Sequence, residues 1–267
     1  MVTETTSSDK IIPVNDGAIG WVIFSNPQRR NAVTLEMSVA AGNAIEDFGR
    51  DDAIRVVILR GDGDKTFISG GDISKFERDR STAESRANTE KLRGHARSAL
   101  ATLEKPTIAM IRGYCLGGGL GWALNCDLRI CSEESKFGIP AAKLSIGYGA
   151  DGIRHLIDLV GPSAAKEVLY TGRQYTAQEA LRMGLVNQVV PAAELESFTR
   201  TYAEVIANNA PLAILNAKTA VNELLKDPAE RDMALVNRRA NTANASQDNV
   251  EGRRAFMEKR KPVFTGK

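Results

Sequence analysis

The chain has 267 residues, of which 43% are hydrophobic and 25% charged, a composition typical of a globular protein with one large core and a small additional unit. Its net charge of +2, with acidic and basic residues interleaved, argues against nucleic-acid binding and favours a small-molecule ligand. The N-terminus shows no signal-peptide pattern and no run of about 18 apolar residues follows, so we expect a cytoplasmic protein without a membrane partner.

Strand and helix patterns alternate along the first part of the chain. Runs rich in β-branched and aromatic residues predict strands at 19–25, 56–60 and 107–112, and apolar periodicity predicts helices at 34–48 and 83–103. Such alternation is typical of an α/β fold in which the strands pair in parallel.

The last third of the chain changes character. Thr176 and Glu179 have the spacing of a capping box, which predicts a short helix that ends at Gly184. Beyond Pro191 the pattern is almost wholly helical. We therefore predict a core of residues 1–199 and a helical C-terminal unit of residues 200–267.

Two glycine-rich turns follow predicted strands. The turn FISGGDI (67–73) comes after the strand at 56–60, and GYCLGGGLGWAL (113–124) comes after the strand at 107–112. Open α/β sheets bind ligands at the carboxyl ends of their strands, and glycine allows the backbone to approach a ligand closely. Either turn alone reads most simply as a tight connection. Together they predict a site in which one N–H group from each turn binds the same oxygen.

Cysteine and histidine usage argues against several other kinds of site. Cys115, Cys126 and Cys131 form no C-x-x-C pair and are odd in number, so we expect reduced thiols. His95 and His155 are the only histidines, and we expect no metal centre. Neither a G-x-x-x-x-G-K-[ST] nor a G-x-S-x-G motif is present, which removes the main support for a phosphate-binding loop or a serine hydrolase.

Several motifs in order along nearly the whole chain resemble the enoyl-CoA hydratase/isomerase (crotonase) superfamily. They are N-P-x-x-x-N-A at 26–32, F-I-S-G-G-D-I at 67–73, G-Y-x-x-G-G-G at 113–119, C-D at 126–127, F-G-x-P at 137–140, G-L-V-N at 184–187 and E-G-x-x-A-F-x-E-K-R at 251–260. The resemblance implies repeated ββα units with a helical C-terminal region that mediates trimers, often paired as hexamers. It also implies an acyl-CoA substrate and no cofactor other than the coenzyme A of that substrate.

The resemblance assigns roles to individual positions. Gly71 and Gly118 match the residues whose N–H groups bind the thioester oxygen. The candidates for contact with the CoA moiety are Arg30, Ala32, Lys65, Ser69, Asp72, Ile73, Phe256 and Lys259.

The chain departs from the hydratase pattern at two positions. Hydratases of the family have one glutamate two residues after the G-G-G and another directly after the proline of F-G-x-P, where this chain has Gly121 and Ala141. Neither residue transfers a proton. The sequence therefore predicts an enzyme other than a standard hydratase or isomerase, or else a non-catalytic acyl-CoA-binding member of the family.

Three residues could replace the missing acid and base. Asp151 ends the turn SIGYGAD before an apolar helical run, where it would serve either as a reacting carboxylate or only as a helix N-cap. This turn resembles that of 4-chlorobenzoyl-CoA dehalogenase, in which an aspartate attacks the ring and a histidine activates water; His95 lies near the corresponding place. Tyr148 resembles the tyrosine of methylmalonyl-CoA decarboxylase. His95 would otherwise be an ordinary surface histidine, and Tyr148 would otherwise only form part of the pocket wall.

Overall fold

The fold is known from a computed structural model, which describes residues 10–72, 92, 94, 95 and 98–267 and, at residue 151, the backbone alone. The strands are β1 (Ile11–Asp16), β2 (Ile19–Phe24), β3 (Val56–Gly61), β4 (Thr66–Ile68), β5 (Thr107–Ile111), β6 (Tyr114–Leu116), β7 (Leu128–Ser132), β8 (Lys136–Gly138), β9 (Tyr175–Thr176) and β10 (Gln188–Val190). The α-helices named below are α1 (Leu35–Arg50), α2 (Gly118–Leu124), α3 (Ala150–Thr171), α4 (Ala177–Arg182), α5 (Leu195–Ala207), α6 (Pro211–Leu224), α7 (Met233–Ala245) and α8 (Gln247–Met257). Most of the predicted helix at 83–103 and the predicted site residue Ile73 lie outside the described residues.

The larger sheet has six strands in the order β1-β2-β3-β5-β7-β10. β1 and β2 are antiparallel, and each of the other neighbours is parallel. The three strands predicted from the sequence are confirmed as β2, β3 and β5. They are almost entirely buried, which explains why they appear in the sequence as continuous apolar runs. The α/β class with mainly parallel pairing is confirmed.

A second sheet has four short strands in the order β4-β6-β8-β9 and positions the two glycine-rich turns. β4 and β6 pair in parallel, so their carboxyl ends lie at the same edge of the sheet. The predicted first turn overlaps the end of β4 and continues from Ser69, and the predicted second turn overlaps β6 and continues from Gly117. Parallel pairing of two strands of three residues each therefore brings turns together that are far apart in the sequence.

The predicted starts of α1 and α4 and the predicted end of α4 are confirmed, and each has the expected capping residue. The hydroxyl of Thr34 accepts a hydrogen bond from the N–H of Met37 at the start of α1. At α4, the hydroxyl of Thr176 accepts from the N–H of Glu179, whose carboxylate accepts in return from the Thr176 N–H. Gly184 follows this helix with a φ of 79°, a left-handed conformation that glycine adopts without strain.

The core consists of two apolar clusters. The larger includes Phe24, Ile45 and Phe137, and the smaller fills the space between the six-stranded sheet and α5, with Trp21 and Ala203 among its members. In the described part of the chain, no helix is both long enough and apolar enough to cross a membrane.

The three cysteines are free and buried within this core. Burial raises the pKa of the Cys126 and Cys131 thiols to about 12 and also raises the pKa of Cys115. Because the thiolate is the reactive form, these residues are unreactive at neutral pH.

Candidate active site

The two glycine-rich turns meet at the edge of the four-stranded sheet. The Gly71 nitrogen lies 3.4 Å from the position that a Cβ atom would take on Gly118. The Gly118 nitrogen lies 3.9 Å from the corresponding position on Gly70. The backbone amides of the two turns are therefore immediate neighbours.

Neither of the two N–H groups donates a hydrogen bond to a backbone carbonyl of the described residues. On either side of Gly71, the carbonyl of Gly70 accepts from the Val33 N–H and the N–H of Asp72 donates to the Val33 carbonyl, while the Gly71 N–H has no backbone acceptor. Gly118 is the first residue of α2, where an N–H group has no partner within the helix. Two adjacent donors of this kind can bind one oxygen that gains negative charge during a reaction.

Glycines behind the site allow the turns to approach. A Cβ atom on Gly119 would lie 2.0 Å from the carbonyl oxygen of Ile68, and one on Gly113 would lie 1.9 Å from that of Lys65. Glycines that face the site have open space at their Cβ positions. A Cβ atom on Gly71 or Gly121 would meet no heavy atom of the described residues within 4 Å. Glycine is thus needed for packing behind the turns, and it leaves open space in front of them.

Tyr148 lies beside the second turn. Its hydroxyl oxygen is 3.9 Å from the position of a Cβ atom on Gly117. Burial raises the pKa of the Tyr148 phenol above its ordinary value, so the hydroxyl is protonated at neutral pH and can donate a hydrogen bond. The ring is 3.5 Å from the Cβ position of Gly152, which places the start of α3 against the tyrosine.

Asp151 lies in the first turn of α3 and does not cap it. The helix begins at Ala150, its N-cap is Gly149, and no side chain makes a capping hydrogen bond there. The alternative that Asp151 is the N-cap is therefore wrong, because the helix begins two residues earlier than that interpretation requires.

His95 lies against the middle of α1. Its Nε2 is 3.2 Å from the Asn43 Oδ1, and its Nδ1 is 3.6 Å from the Glu46 Oε1. Asn43 is nine residues beyond Thr34, or about 13 Å along the helix axis from the end that adjoins the first turn. The contacts of His95 thus lie away from the glycine turns. Within the described ranges, no three His, Cys, Asp or Glu side chains form a group that could hold a metal ion.

The N-P-x-x-x-N-A motif forms a rigid turn next to the first glycine turn. Asn31 is buried in a left-handed conformation with a φ of 54°. Its side-chain amide donates to the carbonyls of Asp62 and Thr66, and its Oδ1 accepts from the N–H of Asn26. The asparagine therefore holds the turn together, while Ala32 is half-buried beside it.

Predicted CoA-binding residues form a basic surface beside β6. The Arg30 guanidinium lies 5.9 Å from the centre of the Tyr114 ring, and the Arg30 carbonyl accepts from the Ser69 N–H. The Lys65 carbonyl accepts from the N–H of Tyr114, and Lys65 is exposed. Arg30, Lys65 and Ser69 therefore lie near Tyr114 on the strand that leads into the second glycine turn.

Asp72 contacts a residue that the sequence did not indicate. The Arg29 Nη1 donates to both carboxylate oxygens of Asp72 at 3.2 Å. Of the two neighbouring arginines, only Arg30 was predicted as part of the site. The ion pair joins residues 43 positions apart, and no local pattern distinguishes one arginine of the pair from the other.

Phe256 and Lys259 lie at the outer surface of the C-terminal helices. Phe256 is 82% exposed near the end of α8, and Lys259 follows with a left-handed φ of 53°. An aromatic ring that exposed has no packed position within the single chain, and it is available to a ligand or to a second chain.

Comparison with known proteins agrees with this fold. The family model described as Enoyl-CoA hydratase/isomerase matches residues 15–267. The "Probable enoyl-CoA hydratase 2, mitochondrial" of Arabidopsis thaliana is 38% identical, over 98% of this chain and 88% of its own. The "Crotonyl-CoA hydratase" of Syntrophomonas wolfei is 35% identical, over 97% of this chain and 99% of its own. The crystal structure of an enoyl-CoA hydratase/carnithine racemase from Magnetospirillum magneticum matches with a TM-score of 0.92 and 36% identity, over 97% of this chain and 96% of that one.

Proposed function

Because this chain belongs to the enoyl-CoA hydratase/isomerase (crotonase) superfamily, we propose that it binds an acyl-CoA thioester whose carbonyl oxygen accepts hydrogen bonds from Gly71 and Gly118. The observation behind this proposal is the adjacency of the two amides, with the Gly71 nitrogen 3.4 Å from the Cβ position of Gly118. Loss of one such donor typically costs about 3 kcal/mol of transition-state stabilisation. The proposed chemistry requires no cofactor beyond the coenzyme A of the substrate.

The CoA moiety is proposed to lie on the basic surface formed by Arg30 and Lys65. Arg30 lies between β2 and α1, Lys65 directly precedes β4, and the charges of both suit the phosphates of CoA. Phe256 and Lys259 would reach a CoA moiety from a neighbouring copy of the chain.

A homotrimer or a dimer of trimers is proposed on the same basis. Large apolar side chains are exposed on the C-terminal helices, including Val221, Leu224, Phe256 and Met257. Single exposed apolar residues are common, but a set of them on one region marks an interface. Light scattering should give a mass of three or six times 28.9 kDa, and a monomer would contradict the proposal.

The proposed reaction is not standard hydration. Gly121 and Ala141 occupy the positions where the family's hydratases have glutamates, and neither can transfer a proton. General acid and base groups typically contribute factors of about 10² to 10⁴ each, so we expect crotonyl-CoA hydration far below the rate of an efficient hydratase.

Asp151 and Tyr148 are proposed to supply the missing chemistry. The supporting observation is that Tyr148 lies beside both Gly117 of the second glycine turn and Gly152 of the first turn of α3. In this proposal the carboxylate of Asp151 acts as base or nucleophile, and the protonated phenol of Tyr148 orients the substrate by a hydrogen bond.

Binding can be tested without knowledge of the reaction. The chromophore of 4-dimethylaminocinnamoyl-CoA absorbs at longer wavelength when hydrogen bonds polarise its carbonyl group. We expect a red shift on binding that is lost in Gly71→Pro, which has no N–H. Gly71→Ala is the matched control, since its Cβ would meet nothing within 4 Å and its N–H is retained. A wild-type protein that binds without a red shift would contradict the proposed site.

Catalysis is tested with a panel of acyl-CoA thioesters. Enoyl, malonyl-type and 4-halobenzoyl thioesters give different mass changes on hydration, decarboxylation and hydrolytic dehalogenation, so mass spectrometry identifies the reaction. Binding without any product would favour the second candidate, a non-catalytic acyl-CoA-binding protein, for which the residues Gly121 and Ala141 are the supporting observation.

A further inference from the structure

The orientation of the Gly71 N–H depends on the residues on either side of it. Gly71 has no side chain, is exposed, and has no heavy atom within 4 Å of its Cβ position. Its backbone is fixed by one hydrogen bond before it and one after it, from the Val33 N–H to the Gly70 carbonyl at 2.9 Å and from the Asp72 N–H to the Val33 carbonyl at 3.0 Å. Asp72 follows Gly71 directly, so the contacts of its side chain restrain the same turn further.

The side chain of Asp72 is held by an ion pair. Its carboxylate is only 9% exposed, and both of its oxygens accept from the Nη1 of Arg29 at 3.2 Å. A hydrogen bond between ionised groups is stronger than one between neutral groups, and partial burial reduces its screening by solvent.

Arg29 in turn belongs to a rigid turn. It ends a short helix of residues Pro27–Arg29, in which proline fixes the first backbone angle. Its N–H donates to the Asn26 carbonyl at 2.9 Å, and its own carbonyl accepts from the Ala32 N–H at 3.0 Å. The guanidinium therefore joins Asp72 to a turn whose backbone is already fixed.

We propose that Arg29 and Asp72 form a positioning pair that aims the Gly71 N–H at the thioester oxygen. This inference rests on the proposed function, and it gives Asp72 a role through Gly71 in place of direct contact with CoA. Neither side chain touches the reacting atoms. The pair sets how strongly the bound carbonyl is polarised, whereas Arg30, one residue further on, contributes to affinity for the CoA moiety.

The test compares three variants with the same chromophoric thioester at saturating concentration. In Arg29→Gln and in Asp72→Asn we expect about half of the wild-type red shift to be lost, because a misdirected donor polarises the carbonyl less. The double variant should lose no more than either single variant, since both remove the same interaction. Arg30→Gln is the matched control: it removes a neighbouring positive charge, and we expect weaker binding with the full red shift at saturation.

A conservative variant separates positioning from general damage. Both of the hydrogen bonds described above come from one nitrogen, Nη1 of Arg29, so the single ammonium group of Arg29→Lys should restore most of the shift. If Asp72→Asn does not fold, Arg29→Gln still decides the matter, because its side chain is 54% exposed and its loss leaves no cavity. Full red shifts in Arg29→Gln and Asp72→Asn would overturn the positioning role. Absence of a shift in the wild-type protein would overturn the proposed function and this inference together.

Discussion

Two regions of this chain present neighbouring backbone N–H groups, and they use them differently. In the C-terminal tail, the N–H groups of Thr265 and Gly266 donate to the two carboxylate oxygens of Asp248 at 2.7 and 2.8 Å. At the glycine turns, the N–H groups of Gly71 and Gly118 donate to no backbone acceptor in the described part of the chain. The two donors of the tail are paired with a carboxylate, and the structure describes no acceptor for the two amides of the glycine turns among the residues it covers.

Burial explains why each arrangement is stable. Asp248 is only 2% exposed, so the donors beside it require a partner from the protein. Gly71 and Gly118 are exposed, and water can satisfy their N–H groups when no ligand is bound. Backbone N–H groups stabilise the fold where a buried carboxylate accepts their hydrogen bonds. They are available to a substrate where glycine leaves open space.

The largest expected effect concerns the packing that brings the turns together. Gly119→Ala would place a Cβ atom 2.0 Å from the Ile68 carbonyl oxygen, which no rotamer change relieves. We expect a loss of about 3 kcal/mol or more in the free energy of unfolding, at the upper end of overpacking effects, measured by urea denaturation. Gly121→Ala is the control. Its Cβ would meet nothing within 4 Å, and alanine in α2 should stabilise the protein slightly. Equal stability of the two variants would contradict the described packing.

The next effect concerns the chemistry beside the turns. Once a substrate is known, Asp151→Asn should lower kcat by about 10²-fold or more, because the amide can neither accept a proton nor attack. The melting temperature should not change, since Asp151 does not cap α3. Steady-state kinetics with thermal unfolding checks both points, and turnover near the wild-type rate would remove Asp151 from the proposed mechanism.

A smaller effect is expected in the tail. Asp248→Asn replaces one of the two accepting oxygens with an NH₂ group, which leaves a backbone donor without an acceptor. We expect a loss of about 2 kcal/mol in the free energy of unfolding. The red shift of the bound chromophoric thioester should stay at its wild-type value. A reduced shift would show that the tail and the glycine turns are coupled, and it would contradict a purely structural role for the donors of the tail.

The sequence predicted the long elements of the fold well, for physical reasons. β2, β3 and β5 are mostly buried and mostly apolar, and α1 and α4 follow Thr34 and Thr176, whose side chains accept capping hydrogen bonds. The strands of the second sheet are two or three residues long, too short to show a periodic pattern, and were not predicted. Yet these strands align the glycine turns.

The site was predictable in part. Glycine clusters after strands indicate places where the backbone meets a ligand, so Gly71 and Gly118 could be proposed from the sequence. The pairing of Arg29 with Asp72 could not, because it depends on the tertiary arrangement of two turns that are distant in the sequence. The start of α3 was misjudged because Gly149 takes the N-cap position without any side-chain bond, a case that residue preferences do not indicate.

The smallest expected effect is the pH dependence of the tail. The Glu251 carboxylate accepts hydrogen bonds from the Arg260 guanidinium and from the Val263 N–H, and these lower its pKa from 4.5 to about 2. A carboxylate whose pKa is lower in the folded state stabilises the fold fully above its unfolded-state pKa. That contribution is lost as the pH falls from about 4.5 towards 2.

Glu251→Gln should therefore be less stable than the wild-type protein at pH 6 and equally stable near pH 2, with the two curves converging between pH 4.5 and 2. Because the pair is solvent-exposed, the difference at pH 6 should be small. Glu258→Gln is the matched control: Glu258 also accepts from Arg260 but from no backbone group of the tail, and its loss should affect stability less. Urea denaturation at several pH values measures these differences. If the difference in the free energy of unfolding between the wild-type protein and Glu251→Gln stays constant down to pH 2, Glu251 stabilises the tail without its charge. The tail would then differ from the glycine turns in packing alone.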